Sequence, residues 1–323
     1  MDKQLLQLLT RFDAGEVLAA SRLMSVVERG GEDAEAVLDR LHPRLGGAYR
    51  VGVTGGTGGG KSTLINALVK QVRGDGRTVG VVAEDPTSPF TGGAILGDRV
   101  RMSHAIGDPG VFVRSIASRG TQTGFSVLAD ELADVLDAFG RDLVLLETTG
   151  VGQLEYKIRF SADTTVVVFT PEGGDDVQSL KSGLVEVGDV FVVNKADRPG
   201  ADGFSADLTA ILEIRTEGRP WTPPVVPTVA SSGEGVADLA AAIASHRAHL
   251  GADGRLEGQR RAGREARLRS LVEDKLASVL WQNPYIQSRF GGIFEEVTRG
   301  DRSPYAAARA LLDAVRVDGQ NQT

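Results

Sequence analysis

Over the first 47 residues, apolar positions recur at steps of three and four, as in Leu5, Leu8, Leu9 and Phe12. That spacing predicts helices, punctuated by Gly30-Gly31 and Gly46-Gly47. From Tyr49 the pattern changes to short, nearly uninterrupted apolar runs at 50–53, 78–83, 143–147, 165–169, 190–194 and 225–228. Amphipathic stretches at 61–72, 127–139 and 176–187 lie between them. Strands apolar on both faces, each followed by a helix, predict an α/β fold: a doubly wound, mainly parallel sheet. A glycine-rich break, "LGADGRLEG", follows, and the chain beyond it is helical and charge-rich. The expected division is an N-terminal helical extension at 1–47, an α/β domain at 48–250 and a helical C-terminal region at 251–323.

Composition narrows the function. The 323 residues are 41% hydrophobic, enough for a full-sized core, and the net charge of −7 argues against a broad hold on nucleic acid or anionic lipid. With no cysteine, disulfides, thiolate metal sites and cysteine nucleophiles are excluded together. The opening "MDKQLLQLLTRFDAGE" carries charges inside a short amphipathic pattern, and no apolar run approaches the ~18 residues of a membrane span. The expectation is a cytoplasmic protein without nucleic-acid or membrane partners.

The chemistry concentrates at strand ends. "VGVTGGTGGGKSTLINALV" packs five glycines into positions 55–60 and fits G-x-x-x-x-G-K-[ST] from Gly55 to Ser62. Glycines such as Gly58, Gly59 and Gly60 let successive N–H groups converge on an anion, and the helix N-terminus adds partial positive charge. Lys61 is placed for the β- and γ-phosphates and Ser62 for Mg²⁺, with Thr63 directly after. A strand precedes this loop and a helix follows, as a P-loop requires. "VFVVNKADRPG" puts Asn194, Lys195 and Asp197 at another strand end. A carboxylate accepts from guanine N1–H and N2–H₂, whereas adenine would set a lone pair against it, so Asp197 selects guanine. Asn194 suits either the other edge of the base or the loop itself. Residues 229–236, with Ser231, Ser232 and Gly233, resemble a loop whose N–H contacts the guanine oxygen.

Magnesium takes one or two carboxylates besides a hydroxyl and phosphate oxygens. Asp85, Asp98 and the strand-end Glu147 are the candidates. Gly150, three residues beyond Glu147, offers a flexible N–H to the γ-phosphate, and Gln153 lies where water could be oriented.

Together these residues resemble the GTPases associated with methylmalonyl-CoA mutase, the MeaB/ArgK-like group of SIMIBI-class P-loop GTPases. The resemblance rests on the glycine loop, "DPTSPFTGGAILGDRVRM", "DPGVFVRSIASRG", "ETTGVGQLE" and "VNKAD". It implies a dimeric, partner-stimulated GTPase that takes GTP, GDP and Mg²⁺. It also implies a chaperone that gates cofactor loading and protects or reactivates an adenosylcobalamin-dependent acyl-CoA mutase. The C-terminal helices would build the homodimer. "TPEGGDDVQSLKSG" resembles the family's mobile loop, with Asp175, Gln178 and Lys181 sensitive to the partner. Leu154 where the family commonly has serine, and the acidic stretch 172–176, leave the client mutase open.

Three rivals use the same cradle. A nickel- or zinc-delivery GTPase wants thiolates and clustered imidazoles, and this chain has no cysteine and four histidines. His246 and His249, one turn apart on an alanine-rich stretch, are expected to be solvated. A small-molecule kinase would need an acceptor pocket that no motif supplies, and a non-hydrolysing scaffold would lack a water-positioning group.

Overall fold

The computed structural model describes residues 2–85, 107–117, 127–148, 157–171 and 184–320. Within them the chain forms two compact units, Met1–Gly263 and Arg264–Thr323.

In the first unit, seven strands form one wholly parallel sheet: β1 (Tyr49–Gly55), β2 (Val79–Asp85), β3 (Val111–Ala117), β4 (Leu143–Glu147), β5 (Thr164–Phe169), β6 (Val190–Asn194) and β7 (Val225–Thr228). Their spatial order is β3-β2-β4-β1-β5-β6-β7. β4, β5 and β6 are buried at every position, which is why they read as unbroken apolar runs. The edge strand β3 escaped the sequence reading. Its "VFVRSIA" admits Arg114, whose guanidinium reaches Glu28 and Ser25 on the helix Val17–Arg29.

Alternation along the strands sorts the helices onto two faces. Val51, Val53, Leu143 and Leu145 pack under the helix Lys61–Gly74 that leaves the glycine loop, and under the helix Val236–Gly251. Val144 and Leu146 face the helix Val127–Ala138 and the three N-terminal helices, which share its core through Phe12, Leu23, Met24 and Val37. The expected helix at 176–187 is described over Leu184–Val187, its earlier part lying outside the described residues.

Charged clips fasten the amino-terminal edge of the sheet. Asp137 accepts the Gly46 and Ala48 N–H groups at 2.9 and 2.8 Å, and Arg50 pairs with Asp134 at 2.7 Å. Arg260 forks onto Asp163, with both contacts at 2.7 Å, and donates to the Gly46 and Ala48 carbonyls. Pairs this well bridged are costly to break from one side, because the remaining charge would stay buried alone.

The same edge corrects the expectation for His246, which is 2% exposed rather than solvated. Its Nδ1 lies 2.8 Å from Thr164 Oγ1, which lies 2.6 Å from the Tyr49 hydroxyl. Nε2 stands 3.6 Å from Asp189, and the Trp221 ring packs alongside at 4.8 Å. Burial drives the His246 pKa down to about 4, with His249 adding to the shift, and drives Asp189 up to about 6. The face of this helix that meets the sheet takes in His246, while His249 is half-buried.

The second unit comprises Arg264 onward in the helix Arg255–Gln282, then Pro284–Arg299 and Pro304–Gln320. Asn283 caps the middle helix by accepting from the Tyr285 and Ile286 N–H groups. Its core is small: Ile286 and Leu311, with Leu280, Tyr285 and Ile293 against them. Leu268, Val272, Leu276 and Val279, at three- and four-residue steps, stay exposed.

Candidate functional site

β1 ends in the glycine loop, and the helix from Lys61 starts at its far side. Gly55, Gly58 and Gly60 have φ of +135°, +77° and +85°, values that L side chains rarely adopt. Two of them are also needed for close approach. A Cβ on Gly55 would stand 2.1 Å from the Val168 carbonyl oxygen, and one on Gly60 would stand 2.4 Å from Asn194 Nδ2. Lys61, 7% exposed, lays its ammonium across the loop, donating to the Gly55 and Gly56 carbonyls at 2.8 and 3.1 Å.

In the first turn of the helix, Ser62 Oγ donates to Glu147 Oε1 at 2.6 Å. Glu147 closes β4 and is buried. With its proton directed to the carboxylate, the Ser62 oxygen keeps lone pairs for a cation. A hydroxyl and a carboxylate, both hard oxygen donors, fit magnesium. Among the described residues no group of three or more His, Asp or Glu side chains could hold a metal. Asp85 closes β2 opposite Ala117, and its side chain lies outside the described part. Asp98, Gly150, Gln153, Asp175, Gln178 and Lys181 likewise lie outside the described residues.

On the base side, Asn194 belongs to the loop. Its Nδ2 donates to the Gly59 carbonyl at 2.8 Å, while Oδ1 accepts from Thr228 Oγ1 and the Ala230 N–H, each at 3.1 Å. This single buried amide joins the glycine loop to the segment after β7. Lys195 has φ +59°, unusual for a residue with a side chain, and its Nζ donates to the Gly58 carbonyl at 2.9 Å. Asp197 stands exposed two residues on. After β7, Val229 and Glu234 form a bridge, and the Ser232 and Gly233 N–H groups donate to the Val229 carbonyl. The Ser231 N–H takes no partner among the described residues. Beside it a cavity of about 720 Å³ is lined by Thr63, Asn66, Lys70, Ser231, Ser232 and Gly233 among others. The carboxyl ends of β1, β4, β6 and β7 thus bring Lys61, Ser62, Glu147, Asn194, Lys195 and Ser231–Gly233 to one edge, at the point where strand order reverses.

Thr54 and Thr148, a buried hydroxyl pair at that edge, were missed by the sequence reading. Their signal was position: threonines directly before the glycine loop and directly after the strand-end acid.

Comparison with known proteins fixes the family. The model for the methylmalonyl Co-A mutase-associated GTPase MeaB matches residues 20–285. The chain belongs to the MeaB family. A putative GTPase of Pyrococcus abyssi is 42% identical over 312 residues, 96% of this chain and 96% of that one. The GTPase ArgK of Escherichia coli is 32% identical, with 95% of each chain covered. A crystal structure described as a LAO/AO transport system kinase aligns over 98% of this chain and 99% of its own, with a TM-score of 0.72 and 26% identity. As a MeaB-family member the chain is a P-loop GTPase that binds GTP and GDP and hydrolyses GTP. Among the described residues no helix is long and apolar enough to cross a membrane.

Proposed function

We propose that the chain hydrolyses GTP with Mg²⁺ as a chaperone of an adenosylcobalamin-dependent acyl-CoA mutase, gating its cofactor loading and protecting or reactivating it. The reading is carried by one observation: a family match named for methylmalonyl Co-A mutase spans a chain whose phosphate loop, metal-side acid and base loop converge.

The loop amides and Lys61 hold the phosphates, and Lys61 exchanges its Gly55 and Gly56 carbonyls for the anion. Ser62, with Glu147 and Asp85 or Asp98, would hold magnesium, which would supply positive charge to offset that of the phosphates. Asp197 accepts from the guanine N–H edge, and the Ser231 N–H is the donor for the guanine oxygen. Water attacks the γ-phosphate in line, with Gly150 sensing that phosphate and Gln153 orienting the water. Asp175, Gln178 and Lys181 form the loop through which the mutase quickens turnover. The exposed row Leu268, Val272, Leu276 and Val279 is the homodimer contact.

A gate set by nucleotide requires that the GTP and GDP forms bind the mutase with different free energies. Co-purification with candidate cobalamin mutases, followed by affinity and turnover measurements, tests this. The expected result is at least about a 5-fold difference in mutase affinity between the two forms, the low end of typical couplings. Equal affinity and unstimulated turnover with every candidate would defeat the chaperone reading while leaving the GTPase intact.

A further inference from the structure

The end of β4 is clasped on both faces of the sheet. On the face covered by the helix Lys61–Gly74, Glu147 accepts from Ser62. On the opposite face, the Thr148 hydroxyl donates to Thr54 Oγ1 at 2.9 Å. The Thr148 N–H also donates to the Val53 carbonyl at 3.2 Å, carrying the β1–β4 ladder one residue past Glu147. Both threonines are buried, Thr54 at 0% and Thr148 at 3% exposure.

Valines would fill these two positions with nearly the same shape and without hydroxyls to desolvate, as valine and leucine do at Val51 and Val53 of β1 and at Leu143–Leu146 of β4. What the hydroxyl pair adds is direction: a contact with a preferred length and angle fixes two strand ends more narrowly than apolar packing does. The two strand ends it fixes both bear on the site. Thr54 immediately precedes Gly55, and Thr148 sits between Glu147 and the segment containing Gly150 and Gln153.

We propose that Thr54 and Thr148 are positioning residues of the GTPase reaction, setting the Glu147 carboxylate against the phosphate loop. The proposal rests on the reading of Ser62 and Glu147 as the magnesium side of the site. Neither threonine is assigned contact with nucleotide. Their removal therefore leaves phosphate binding in place and degrades the steps that depend on the β4 end.

The test compares wild type with Thr54→Val, Thr148→Val, the double variant and Thr148→Ser. Binding of a fluorescent GDP is measured in EDTA, the rate of GDP release is titrated with Mg²⁺, and kcat and KM are determined for GTP. In EDTA the valine variants are expected to bind GDP within about 2-fold of wild type, because binding shared by ground and transition states is untouched. They should need about 10-fold more Mg²⁺ to slow GDP release, and kcat should fall about 10-fold with KM little changed. Thr148→Ser, which keeps the hydroxyl, should restore both. The double variant should be no worse than either single one, as for a contact that either change abolishes.

Wild-type Mg²⁺ dependence and kcat in the valine variants, with melting temperature alone lowered, would overturn the proposal. So would a loss of GDP affinity in EDTA beyond about 10-fold, which would place the pair in phosphate binding itself. A wild type indifferent to Mg²⁺ would remove the metal reading separately, and the kcat–KM split with serine rescue would then decide the pair. Should Thr54→Val fail to fold, Thr148→Val and Thr148→Ser carry the same comparison.

Discussion

Asn194 is a joint between two loops. Its three hydrogen bonds hold the Gly59 carbonyl, the Ala230 N–H and the Thr228 hydroxyl in one buried arrangement. Asn194→Ala leaves those buried groups short of a partner, and the expected loss is about 3 kcal/mol of folding stability. Urea unfolding of the nucleotide-free protein measures it, and a change below about 1 kcal/mol would mean that solvent already serves those groups. Asp197 is the contrasting case, exposed and free to meet a ligand. Asp197→Asn is expected to cut the preference for GTP over its adenine counterpart at least about 10-fold, by replacing an acceptor with a mixed group. Competition binding with both nucleotides reads this directly, and an unchanged preference would remove Asp197 from base selection. The two roles looked alike in "NKAD", because a tetrapeptide does not show which side chain turns inward.

At the scale of elements, the helix Val236–Gly251 links the two ends of the sheet. It starts beyond the base loop and carries His246 to the opposite edge, against Thr164, Asp189 and Trp221. Burial holds His246 near a pKa of about 4, below its ordinary value of 6.5, so the unfolded chain takes up the proton first as pH falls. The His246 contribution to stability is therefore complete above pH 6.5 and is lost between 6.5 and 4. Asp189, raised to about 6, works in the opposite sense, its contribution falling as pH rises from 3.8 to 6. Comparison with His246→Gln isolates the first effect. Between pH 6.5 and 5 the stability difference should move in the variant's favour by about 2 kcal/mol. A constant difference across that range would show an imidazole that ionises as freely in the fold as in the unfolded chain. The sequence reading put His246 in solvent because Arg247 and alanines surround it. The helix turns that position onto the sheet all the same, since it lies in register with Leu239, Ile243 and Leu250.

For the whole molecule, the second unit buries little apolar surface among its described residues. Ile286 and Leu311 form its centre, while Phe290 meets Trp281 edge-to-face and stacks on Phe294, all three substantially exposed. An exposed apolar row of this kind on a helix is expected to find a second copy. Light scattering at micromolar concentration should return twice the chain mass of 34.1 kDa, and Val272→Glu with Leu276→Glu should return the single mass. A wild-type monomer would end that proposal.

By itself the sequence determined the architecture and the location of the site, because both are written in local terms. Apolar runs buried on two faces, a helix after each, and a glycine loop whose backbone must adopt left-handed conformations are all short-range requirements. Tertiary structure decided the allegiance of side chains. It tied Asn194 to the Gly59 carbonyl, drew His246 onto the sheet, added β3 at the edge and paired Thr54 with Thr148 across 94 residues. Those outcomes depend on which strand lies beside which, and that order is set by packing of the whole sheet rather than by any stretch of chain that a motif can span.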